Sequence, residues 1–121
     1  MLLKECYDSI GGSYESVKER ISNDEIIKKF LIMFLSERSY GDLTKALDDE
    51  NYEAAFYAAH SLKGVCANLS LDKLDEASSE LTEMLRGSDG KKIDSKKCNE
   101  LFEKVIEKYN DVLDAIKKFV L

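Results

Sequence analysis

The stretch Ala58-Ala59-His60-Ser61-Leu62-Lys63-Gly64-Val65-Cys66-Ala67-Asn68-Leu69 decides the fold, because its apolar positions recur every three or four residues with no alternating run. At about 100° per residue, Ala55, Ala58, Ala59, Leu62, Val65, Cys66 and Leu69 collect on one side of a helix. That side is expected to face a core. Glu53, Phe56, Tyr57, His60, Lys63, Gly64 and Ala67 fall opposite, so the chain's single histidine is expected in solvent, with an aromatic one turn before it and a cation one turn after.

Working outward, every other segment reads as helix. Leu2, Leu3, Cys6, Tyr7 and Ile10 predict a short first helix ended by Gly11-Gly12, and Ser13 can cap a second carrying Tyr14, Val17 and Ile21. Ser22-Asn23-Asp24-Glu25 has capping-box spacing. It opens what reads as one long helix through Ile26, Ile27, Phe30, Leu31, Phe34, Leu35, Tyr40, Leu43 and Leu47, roughly 35 Å at 1.5 Å per residue. Ile32 and Met33 widen its apolar arc, which predicts cover from the short N-terminal helices, while Gly41 inside it has no evident reason. Asn51 can cap the helix bearing His60. Ser70 is the expected cap of the next, whose inward positions are Leu71, Leu74, Ala77, Leu81, Met84 and Leu85. Gly87 closes that helix, residues 87–92 form a loop, and a last helix runs from about Asp94 with Cys98, Leu101, Phe102, Val105, Tyr109, Val112, Leu113, Ile116 and Val120 at three-four spacing. The expectation is an all-α fold: an antiparallel up-and-down four-helix bundle with one or two short N-terminal helices packed against it.

Composition bounds the function. The 121 residues fit a single domain, 1–121, and the absence of proline with 35% charged residues suits helices. A net charge of −6 with interspersed lysines disfavours nucleic acid as a partner. Cys6, Cys66 and Cys98 are too scattered for a disulfide framework, the N-terminus lacks a signal-peptide hydrophobic stretch, and the apolar run Phe30–Leu35 is far short of a membrane span. A cytoplasmic protein without membrane contact is expected.

Chemistry at a lone histidine is narrowly bounded. A di-metal carboxylate bundle needs Glu-x-x-His twice, whereas Tyr57 precedes His60 by three and no second histidine exists, so no metal is expected. Cys66 points roughly 120° around the helix from His60, which rules out a Cys-His nucleophilic pair. Glycine-rich nucleotide motifs are absent, so neither ATP binding nor any other cofactor is expected. An exposed histidine is most often a surface residue of no consequence. Gly64 changes that weighing, because glycine inside a helix costs about 1 kcal/mol relative to alanine, and the gain is bare backbone beside the imidazole that lets a partner approach. Lys63 would lean toward an anion on the ring, its plain alternative being a solubilising lysine. Phe56 is either an edge contact within the bundle or a docking anchor.

His60-Ser61-Leu62-Lys63-Gly64 followed by Asn68-Leu69 resembles the His-x-Leu-Lys-Gly signature of histidine-containing phosphotransfer (HPt) domains of bacterial two-component phosphorelays. Tyr52-Glu53-Ala54-Ala55, the Ala77 and Leu81 pattern and the Gly11-Gly12 opening extend the likeness over most of the chain; where many members have glycine after the leucine, this one has Ser70. The resemblance implies that His60 takes a phosphoryl group from the phospho-aspartate of one receiver domain and passes it to another. It also implies that Lys63 neutralises the group, Gly64 leaves room for the partner, and Phe56 and Ala67 belong to the docking surface. The implied partners are receiver domains of response regulators and hybrid histidine kinases, which bring the metal and most catalytic groups, so the chain would be a carrier without turnover. The competing reading is an adaptor that binds receivers without relaying. Keeping histidine, lysine and glycine together speaks against it.

Overall fold

A computed structural model describes residues 2–88 and 92–120. Seven helices follow in order: α1 (Leu3–Ser9), α2 (Tyr14–Arg20), α3 (Asp24–Phe34), α4 (Ser39–Asp48), α5 (Tyr52–Asn68), α6 (Asp72–Leu85) and α7 (Ser95–Val120). The architecture is the expected all-α bundle, with α4, α5, α6 and α7 as its body and the short helices laid against it.

Several helix starts follow from the side chains that the sequence offers. The Ser13 hydroxyl accepts from the Ser16 N–H at 3.1 Å, and the Asn51 side chain accepts from the Ala54 N–H at 3.1 Å. At α3 the cap is Asn23 rather than Ser22, its carbonyl taking the N–H groups of Glu25 and Ile26 at 2.9 and 3.2 Å. The Asp94 carboxylate takes the Lys97 N–H at 3.2 Å ahead of α7. Gly87 adopts φ +71° after α6, as a helix-closing glycine should, and residues 89–91 of the predicted loop lie outside the described residues.

The long third helix is the main correction. It breaks into α3 and α4 through a tight turn in which the N–H groups of Leu35, Ser36 and Glu37 reach back three residues, and the Glu37 carboxylate accepts the Ser39 N–H at 2.6 Å. On one unbroken helix the buried sets Ile27, Leu31, Phe34 and Ser39, Leu43, Ala46 would form stripes about 120° apart, so the turn brings both onto one core. Gly41 thereby falls in the first turn of α4. Tyr40, just before it, stacks flat on Tyr109 of α7 with centroids 3.7 Å apart. The short helices do not cover α3: Ile26, Phe30, Ile32 and Met33 stay exposed, Met33 at 56%.

Instead, α1 and α2 clamp the α5–α6 junction. Tyr7 is fully buried and donates its hydroxyl to the Leu69 carbonyl at 2.7 Å, and the Ser13 N–H donates to the Ser70 carbonyl at 3.0 Å. Gly12 allows that approach, since a Cβ there would lie 2.9 Å from the Ser70 oxygen and 2.8 Å from the Tyr7 ring. Ser70 is not a helix cap. It is buried at φ +53°, a left-handed conformation that suits glycine and costs other residues roughly 1–2 kcal/mol. Its hydroxyl donates to that of Ser16 at 2.9 Å and accepts from the Arg20 guanidinium, which ties the strained residue to α2. Leu71 stands at the N-cap of α6 without a side-chain cap.

The bundle interior is apolar, with Leu43, Leu62, Leu81, Leu85, Val105 and Ile116 fully buried. One hydroxyl breaks the rule: among the described residues, Ser78 Oγ is buried with no hydrogen-bond partner. Ser78→Ala should therefore stabilise the fold by about 1 kcal/mol, read as a higher urea midpoint at unchanged slope. An unchanged or lowered midpoint would show that the hydroxyl is satisfied in solution.

Candidate functional site

The alanines of α5 position the site. Ala55, Ala58 and Ala59 are buried and small, so α5 sits closely between α4 and α6 with Leu62 and Cys66 beneath it. Burial pushes the Cys66 thiol well above its ordinary range, leaving it an inert core residue. Two polar ties fix the helix along its length. The hydroxyls of Ser39 and Ser61 bond at 2.8 Å beside the histidine. At the far end Arg20 donates to the carbonyls of Ala67 and Asn68 at 2.7 and 3.3 Å, a cation on the negative end of the dipole.

His60 stands exposed on the outer face, as the periodicity predicts. Gly64 and Ala67 are exposed along the same face, and a Cβ at Gly64 would meet no atom within 4 Å. Among the described residues, nothing packs against that position closely enough to require glycine. Lys63 is half-buried one turn from the imidazole. Val65, predicted inward, is only half-buried. It lines an open groove of about 490 Å³ with Phe30, Met33, Asn68 and Leu69, which begins five residues past the histidine in sequence.

Phe56 departs from the expected picture. It is half-buried, lies nearly parallel to the His60 ring at 6.0 Å and 14°, and meets Tyr57 edge-on at 5.3 Å. Phe56 thus packs at the edge of the bundle, one of the two alternatives weighed above, and its ring also lies alongside the imidazole.

Two residues at the end of α6 belong here and were not legible in the sequence. The Arg86 guanidinium lies 5.2 Å from the Phe56 centroid and donates to both oxygens of Glu83, at 2.9 and 3.1 Å. Those bonds hold the Glu83 carboxyl below its ordinary range, with further pull from the charges of Lys63 and His60. The i,i+3 spacing of Glu83 and Arg86 announces an ion pair. Only the register of α6 against α5 brings it to the histidine.

Among the described residues, no group of three or more His, Cys, Asp or Glu side chains is placed to hold a metal ion, and no helix is long and apolar enough to cross a membrane. The arrangement is an exposed nucleophilic imidazole, bare backbone on one side and cations nearby. A family model described as the Hpt domain matches residues 31–118. The chain belongs to the Hpt domain family. No curated protein and no solved structure was found to match it significantly. Hpt domains serve in phosphorelays as carriers rather than enzymes and interact with receiver domains. The match begins at Leu31, so α1, α2 and most of α3 lie outside it.

Proposed function

We propose that this Hpt domain relays a phosphoryl group through His60, accepting it from the phospho-aspartate of one receiver and yielding it to another. The observation that carries this reading is the exposed imidazole one turn from Gly64, where an added Cβ would meet no atom within 4 Å among the described residues. A neutral imidazole offers a ring nitrogen lone pair for in-line attack on phosphorus. The P–O bond to aspartate breaks as the P–N bond forms. Phosphoryl transfer asks mainly for positioning and charge neutralisation. Lys63 supplies charge from this chain, and the receiver supplies the metal and remaining groups.

Gly64, Ala67 and the apolar groove under Val65 and Met33 form the surface on which a receiver rests, with Phe56 at its edge. Mixing the protein with a receiver charged by a small-molecule phosphodonor and magnesium should place acid-labile, alkali-stable label on this chain. Absence of label with every receiver tested would favour the non-relaying adaptor. Lys63→Ala should slow transfer about tenfold while receiver affinity changes less than threefold, the range expected of a partly screened charge. Lost affinity with an intact transfer rate would move Lys63 into the docking surface.

A further inference from the structure

The pair Glu83–Arg86 stands beside the candidate site, against the Phe56 ring of α5. Both residues are exposed at the end of α6, and neither bridges to another helix by an ion pair among the described residues. What the pair does is load one face of Phe56, whose ring lies alongside His60. The Phe56 ring thus neighbours both the Arg86 guanidinium and the His60 imidazole, and a carboxylate holds the guanidinium by both its oxygens.

Resting on the relay reading, we propose that Glu83 and Arg86 form a charge-exchange latch: Arg86 is held by Glu83 while His60 is free and passes to the phosphoryl oxygens once His60 is loaded. A phosphoryl group carries up to two negative charges and presents three acceptor oxygens. It outbids a single carboxylate for a planar fork that fits either partner in the same bidentate way. Glu83 is also close enough for its charge to be felt with those of Lys63 and His60, so loading the ring places two anions in opposition and frees the arginine.

The latch sets the lifetime of the loaded state. In hydrolysis water attacks phosphorus, the P–N bond breaks, a proton from the water goes to the ring nitrogen and inorganic phosphate leaves. Arg86 on the phosphoryl oxygens shields the phosphorus from that attack, and Glu83 competes for Arg86.

The test loads His60 directly with phosphoramidate, removes the donor, and follows loss of label in EDTA without any receiver. Arg86→Ala should shorten the half-life about threefold, and Glu83→Gln should lengthen it about threefold, the range of an exposed charge pair. In the Arg86→Ala background, Glu83→Gln should have no effect. Unchanged half-lives in both single variants would overturn the latch, as would a Glu83→Gln effect that survives removal of Arg86, since that marks direct repulsion. Matching thermal midpoints exclude a folding origin. If loaded wild-type protein passes label to no receiver, the relay reading falls separately.

Discussion

His60→Gln should abolish phosphoryl label completely while leaving thermal stability within about 0.5 kcal/mol of the wild type, because an exposed side chain contributes little to the core. The chain has no other imidazole, so nothing can substitute for the nucleophile. Glutamine keeps a similar length and favours helix. Label would be followed on denaturing gels after mixing with a charged receiver, alongside the midpoint of unfolding. Label that persisted on His60→Gln would move the acceptor elsewhere and undo the functional reading. Loss of fold together with label would instead make the histidine a structural residue, against its exposure.

At Gly64, stability and transfer should change in opposite directions. Gly64→Ala should stabilise the helix by about 1 kcal/mol, since a helical glycine carries that penalty and the added methyl meets nothing within 4 Å. Gly64→Leu should also fold. Its side chain, however, occupies the space through which a receiver must reach the ring, and a misplacement of about 1 Å at a reacting centre costs on the order of 100-fold in rate. Stopped-flow or quench-flow transfer from a charged receiver, beside urea melts of the same proteins, separates the two effects. A transfer rate for Gly64→Leu equal to that of the wild type would show that the partner does not approach along this backbone.

How far the sequence discloses the molecule depends on whether a feature is local. The face of α5 is local: spacing alone places Ala55, Ala58, Ala59, Leu62 and Cys66 inward and His60, Gly64 and Ala67 outward. The caps Ser13 and Asn51 are local too. The break between α3 and α4 left a trace in the shift of apolar phase after Phe34, but a wide apolar arc admits two explanations, and burial on several sides is not the one that holds. Ser70 misleads for a different reason. Serine before an amphipathic run reads as a cap, whereas its backbone is fixed by α2 and Gly12 arriving from far along the chain. Glu83 and Arg86 were invisible as site residues because helical periodicity fixes which way a residue faces, not which residue of the next helix stands opposite.

The clamp at the α5–α6 junction has a kinetic corollary. Helix hairpins α4–α5 and α5–α6 close over short connections, but the bond from Tyr7 to Leu69 joins residues 62 apart. Closing a loop of that length carries an entropy cost that grows as about (3/2)RT ln n, and partners distant in sequence meet late in folding. The leading segment therefore docks onto a nearly finished scaffold. In the native ensemble it is the piece that peels away first, so amide exchange at residues 13 and 17 should outpace that in the middle of α5.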